Sequence, residues 1–199
     1  MSAPLLQVDD LRATLVTRDQ TLPLLNGISL SLEPGEALGL VGESGSGKSL
    51  TTRAIMRMLD PNFRVSGDVT FDGKSVLGMN RSELRHYRGN DVGMIFQDPR
   101  AHVNPVHRIG DFLTEALVRN RGMDRDEVEK RAVALLDEVG VRNPEQRLTQ
   151  YPHELSGGLL QRVLIASVLL AEPKLILADE PTTALDVTAQ SDVMAILEE

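Results

Sequence analysis

The sequence predicts an α/β fold: a core sheet carrying a phosphate-binding loop, an antiparallel β portion ahead of it, and a helical subdomain inserted at about residues 100–160. Three observations predict it. A glycine-rich segment, Gly42 to Ser49, stands between an apolar strand-like run and a helical run. Two more short apolar runs, Val92 to Phe96 and Leu175 to Ala178, read as buried strands that end in polar residues. Between them the hydrophobic spacing changes from that of a strand to that of a helix.

The elements follow in chain order. Leu5 to Val16 reads as a strand, closed by the polar turn Thr17-Arg18-Asp19-Gln20. Ile28, Leu30 and Leu32 alternate with Ser29, Ser31 and Glu33, the pattern of a half-buried strand. Pro34-Gly35 turns the chain, and Glu36 to Val41 predicts a short apolar strand leading into the glycine-rich loop. Ser49 to Leu59 reads as a helix, and Val69 to Phe71 before Asp72-Gly73 as a strand and tight turn. Leu113, Ala116 and Leu117, then Val128, Ala132, Leu135, Leu136 and Val139, recur at helical spacing. Ser156 to Ala171 predicts a helix stopped by Pro173, and Val187 to Glu199 is helical in pattern.

Composition narrows the function. The 199 residues, 41% hydrophobic and 25% charged, suit one globular domain. A formal net charge of -8 disfavours broad binding to nucleic acid or anionic lipid. The absence of cysteine removes disulfides and thiolate metal sites. Met1-Ser2-Ala3-Pro4 opens no secretory signal, and the apolar run from Val163 to Ala171 suits a buried helix rather than a membrane span. His86, His102 and His107 show no metal-ligand spacing, and His153 reads as a helix-entry or surface histidine.

Three motifs carry chemistry. Gly42-Glu43-Ser44-Gly45-Ser46-Gly47-Lys48-Ser49 fits G-x-x-x-x-G-K-[ST], with Leu50 next in the following helix. Glycines let backbone N–H groups converge on anionic oxygens, and the helix N-terminus adds positive potential. Lys48 is placed to reach β- and γ-phosphates, and Ser49 to ligate Mg²⁺. Leu175-Ile176-Leu177-Ala178-Asp179-Glu180 delivers two acids at a strand end. Asp179 suits Mg²⁺, held directly or through water, and Glu180 suits orienting or deprotonating a water. Leu155-Ser156-Gly157-Gly158 opens a helix, which makes it either a second anion site or a plain N-cap.

In this order the motifs resemble the ATP-binding-cassette family, within the P-loop NTPase class. Asn104-Pro105, Ile109-Gly110, Tyr151-Pro152-His153-Glu154 and Asp186-Val187-Thr188-Ala189-Gln190 are similar to its dipeptide, oligopeptide and nickel importer branch. The resemblance covers nearly the whole chain. It implies MgATP hydrolysis coupled to import, with ATP and Mg²⁺ as the bound groups. It also implies two membrane permease subunits, an extracytoplasmic solute-binding protein acting indirectly, and a place at the cytoplasmic face of the inner membrane. The resemblance further implies a second ATPase subunit paired head-to-tail, so that Ser156, Gly157 and Gly158 would cap the γ-phosphate held by the partner. Gln97 matches the glutamine that touches Mg²⁺ or the attacking water, and Thr183-Ala184-Leu185-Asp186 the loop that crosses the dimer interface. No nucleic-acid partner is implied. Nickel or another solute remains an alternative cargo, and a non-transport ATPase, a stand-alone phosphotransferase or an inactive binding module an alternative role.

Three departures stand out. Leu159 occupies the place usual for glutamine after Leu-Ser-Gly-Gly. Leu15 aligns where the family stacks an aromatic on adenine, so base stacking worth about 1 kcal/mol is missing there. The chain stops before the strand on which the family carries a γ-phosphate histidine, and lacks the branch's C-terminal extension. The expectation is a fragment or a truncated gene product, incomplete at its C-terminus.

Overall fold

The computed structural model describes residues 3–182, 190 and 193–196. The chain divides into two compact units, residues 1–86 and 87–199.

The first unit is built on a four-stranded antiparallel sheet. Its strands are β1 (Leu6–Val16), β2 (Thr21–Leu32), β3 (Phe63–Phe71) and β4 (Lys74–Ser75), in the order β2-β1-β3-β4. Thr17 donates its N–H to the carbonyl of Gln20 and closes the β1–β2 hairpin. Inward residues of β1 are Leu6 and Val8, then Leu11 and Ala13, so the alternation slips by one residue in mid-strand. A bulge absorbs the slip: Asp10 takes φ 46°, and the ladder to both neighbours shifts between Val8 or Asp9 and Leu11 or Arg12. Gly67 on β3 permits it, because a Cβ there would lie 2.3 Å from the Asp10 carbonyl oxygen. Without the bulge, Leu11 and Ala13 would turn to the opposite face. Asp72 and Gly73, both at positive φ, make the tight turn from β3 to β4. Helices α1 (Lys48–Ile55) and α2 (Arg81–His86) complete the unit.

One expected element differs. Residues 36–41 join no sheet among the described residues, and Leu38, Leu40 and Val41 are exposed. An apolar run signals that a segment wants burial, but a strand also needs a partner edge, which composition does not specify.

In the second unit, β5 (Val92–Ile95) and β6 (Leu175–Ala178) pair in parallel, Val92 beside Leu175 and Ile95 beside Ala178. Between them in sequence lie α3 (Ile109–Arg121), α4 (Arg125–Glu138), α5 (Pro144–Leu148) and α6 (Gly157–Leu170). Each long helix buries a stripe at helical spacing: Ile109, Leu113 and Leu117 on α3, and Val128, Ala132 and Leu136 on α4. Asp124 caps α4 by accepting from the Glu127 N–H at 3.0 Å, and Gly122 ends α3 in the left-handed conformation. Helix α6 is apolar almost all round, as suits a helix enclosed by its neighbours. It lies close on β5, since a Cβ at Gly93 would come 2.5 Å from Cγ1 of Val168. No helix among the described residues is long and apolar enough to cross a membrane.

Candidate functional site

The candidate site residues fall into two groups, one in each unit. In the first unit the chain leaves β2, runs through residues 37–41, and curls at Gly42 to Gly47 into the start of α1. Gly45 takes φ 82° and Gly47 φ 99°, which side chains resist. Space is short as well: a Cβ on Gly42 would lie 2.6 Å from Ser46 Oγ, and one on Gly47 2.7 Å from Leu25 Cδ2. Lys48 folds its side chain back over the loop, its Nζ donating to the Gly42 carbonyl at 2.6 Å and the Glu43 carbonyl at 2.9 Å. The ammonium thus stands over a loop whose backbone turns around it at a helix N-terminus. That arrangement concentrates positive potential at the loop, which favours an anion. Thr51 fastens the first turn, its N–H and hydroxyl both donating to the Gly47 carbonyl, at 2.8 and 2.9 Å. Glu43, Ser44, Gly45 and Ser46 are exposed, while Lys48, Ser49 and Leu50 are half-buried.

Leu15, also in this unit, lies near the end of β1, half-buried, opposite Leu22 on β2 and Phe63 on β3. Directly opposed residues share a face of a sheet. An aromatic ring therefore stands beside Leu15 on the adjacent strand. Reading along the chain missed Phe63, because only strand register makes it a neighbour of Leu15.

In the second unit the two parallel strands end side by side. Asp179 follows β6, is buried at 6% exposure, and donates its N–H to the Ile95 carbonyl, prolonging the ladder by one step. Glu180 comes next and takes φ 48°, a left-handed conformation for a residue with a Cβ. Gln97 stands two residues beyond β5, and its Nε2 donates to Glu180 Oε2 at 2.7 Å. Residues 83 apart in sequence thus form a bonded pair at the carboxyl ends of parallel strands, where open α/β sheets place ligands. A carboxylate held by an amide, both exposed, can accept a proton and orient a water.

The third motif opens α6 in the same unit. Ser156 is its N-cap, its Oγ accepting from the Leu159 N–H at 3.3 Å, with Gly157 and Gly158 in the first turn. Leu159, the departure from the family pattern, supplies that capped N–H. The loop Thr183-Ala184-Leu185-Asp186 lies outside the described residues. Gln161-Arg162, which follow Leu159 as the family pattern expects, carry no assigned role in the sequence; the Gln161 side chain is buried in α6 and bonds to backbone carbonyls at both strand ends. A signal was there: Gln161 interrupts the apolar stripe of Leu164, Ile165 and Val168, where a polar residue is out of place.

A family model described as ABC transporter matches residues 25–183. The oligopeptide transport ATP-binding protein OppD of Salmonella typhimurium is 47% identical over 98% of this chain and 58% of its own length. OppD of Bacillus subtilis is 43% identical over 98% of this chain and 55% of its own. The chain therefore spans little more than half the length of these curated relatives. Among solved structures, the dimeric post-hydrolysis state of the ATP-binding cassette MJ0796 bound to ADP and Pi superposes with a TM-score of 0.86. It is 29% identical, over 96% of this chain and 81% of that one.

Proposed function

The chain belongs to the ABC transporter family, and from that premise we propose that it binds and hydrolyses MgATP to energise a membrane importer of dipeptides or oligopeptides. The observation that carries the proposal is the loop from Gly42 to Ser49. There a lysine ammonium is held by two loop carbonyls above a glycine-shaped turn at a helix N-terminus. Peptide as cargo rests on the likeness to the two oligopeptide transport proteins.

The donor set fits the groups it would hold. Polyphosphate oxygens take backbone N–H groups of residues 42–49 and the Lys48 ammonium. A hard divalent cation takes oxygen ligands, and the Ser49 hydroxyl, the Asp179 carboxylate and the Gln97 amide oxygen are of that kind. Magnesium commonly uses one or two carboxylates beside phosphate oxygens, so Asp179 as sole carboxylate ligand suffices. When bound, the ion supplies positive charge to the phosphate oxygens. Glu180 accepts the proton of the attacking water, with Gln97 holding that carboxylate in place. Leu15 and its neighbour Phe63 are assigned to the base. Ser156, Gly157 and Gly158 are assigned to the γ-phosphate of a second ATPase subunit, paired head-to-tail. Two permease subunits would hold the pair at the cytoplasmic face of the membrane, and a solute-binding protein would deliver the peptide. We assign the chain to one nucleotide-binding domain whose helical subdomain spans about residues 100–160.

The test is a fluorescence titration with a labelled ATP analogue and Mg²⁺. Lys48→Ala is expected to abolish tight binding while leaving the fold intact. Equal affinity of the two proteins refutes the assignment of the loop.

A further inference from the structure

Gln161 sits in α6, 0% exposed, on the stripe formed with Leu164, Ile165 and Val168. Its Nε2 donates to two backbone carbonyls, Phe96 at 3.3 Å and Pro181 at 2.8 Å. Those two residues bracket the Gln97–Glu180 pair: Phe96 immediately precedes Gln97, and Pro181 immediately follows Glu180. Both hydrogens of one amide nitrogen are thus used to join the ends of β5 and β6 just past their ladder. The opposite orientation of the amide would set its oxygen against two carbonyl oxygens, so the hydrogen bonds fix which way it points. Its Oε1 is buried with no hydrogen-bond partner among the described residues. A buried acceptor left unmet is costly and calls for a reason. The reason is on the other side of the same group, where two strand-end carbonyls need a neutral double donor.

We propose that Gln161 is a positioning residue for the hydrolytic pair: its amide ties the two strand ends together and so sets the contact between Gln97 and Glu180. The inference rests on Glu180 acting as the base. Glu180 cannot hold its place by backbone preference alone, since φ 48° is unfavourable for it. The tie at Pro181 restrains the residue after Glu180, and the tie at Phe96 restrains the residue before Gln97. The helix that delivers the amide is itself anchored. The neighbouring Arg162 donates through Nη1 to the Val139 and Gly140 carbonyls at the end of α4, each at 2.8 Å. Gly93 lets the same helix rest against β5. Ser156-Gly157-Gly158 opens the same helix.

The test uses the whole chain and the variant Gln161→Met, which keeps length and apolar packing but has no donor. The first readout needs no nucleotide: the side-chain amide of Gln97 in ¹H–¹⁵N spectra, assigned with Gln97→Met. The Gln161→Met change is expected to move that signal to the position it takes in Glu180→Ala, where its acceptor is gone. An unmoved signal overturns the proposal. The second readout is steady-state MgATP hydrolysis, where kcat falls about 10- to 100-fold, as when outer partners of a site are removed. KM is expected to stay within about twofold, because the phosphate loop is untouched. Unchanged kcat, or a parallel loss of nucleotide binding, overturns it. Should Gln161→Met fail to fold, the unaltered chain decides: slow solvent exchange of both Gln161 amide protons supports the tie, and free exchange overturns it. A chain that binds no MgATP refutes the assignment of the loop, while the Gln97 signal still tests the tie.

Discussion

Glu180 stores conformational strain, and the strain can be measured apart from the chemistry. The residue follows a strand, bears a Cβ and sits at φ 48°. A left-handed conformation costs such a residue about 1–2 kcal/mol, a cost glycine escapes. Replacing Glu180 by Ala and by Gly removes the carboxylate and its bond to Gln97 in both cases, and the two variants then differ only in Cβ. Glycine gains relief from the strain but loses about 0.5–1 kcal/mol to its greater freedom in the unfolded chain. The balance leaves Glu180→Gly more stable than Glu180→Ala by about 0.5–1 kcal/mol. For a chain of this size that is a Tm higher by about 1–4 °C. Ala178, two residues earlier in extended β6, is the control. There Ala178→Gly should be destabilising by about 0.5–1 kcal/mol, because no left-handed conformation is relieved. Thermal melting followed by circular dichroism reads all four proteins. Turnover in both Glu180 variants should be lower by about 10²-fold or more, the ordinary contribution of a positioned base. If Glu180→Ala is as stable as Glu180→Gly, the strain is absent and the carboxylate is not being held against its backbone preference. If the expected order appears, glutamate at 180 is retained at a cost in stability, as strained functional residues are.

Glu180→Gln should retain nucleotide affinity, lower phosphate release by about 10²-fold or more, and accumulate an ATP-bound dimer, because the amide keeps shape but cannot take a proton. Phosphate release at the parental rate, read alongside size-exclusion chromatography with ATP, excludes Glu180 as the base. Leu15→Tyr should tighten ATP binding by up to about tenfold, since stacking supplies up to about 1.5 kcal/mol and 1.4 kcal/mol is tenfold. Unchanged affinity in a fluorescence titration means that the base lies on another face than the one shared by Leu15 and Phe63.

What could be read along the chain was whatever local sequence dictates. Glycines at 42, 45 and 47 with Lys48 name the phosphate loop because each residue's conformational or chemical need is met within eight positions. Ser156 names a helix start for the same reason. The acidic strand end could be read, and so could the glutamine after β5, but not that Gln97 and Glu180 touch, since 83 residues separate them. The bulge at Asp10 escaped notice because it depends on Gly67, a residue of another strand. Segment 36–41 reads as a strand from its apolar residues alone, and hydropathy reports a demand for burial without reporting a partner. Gln161 shows most clearly where sequence reading stops. Its position on an apolar stripe marks it as anomalous, and a buried amide must find partners. Those partners are the backbone carbonyls of Phe96 and Pro181, 65 and 20 residues away, and every residue has a carbonyl. Nothing in the letters distinguishes these two from the rest. Only the parallel pairing of β5 with β6, and the seat of α6 against β5, brings them to the same nitrogen. A candidate base can therefore be named from sequence, while the group proposed to hold it in register emerges only once the strands have paired.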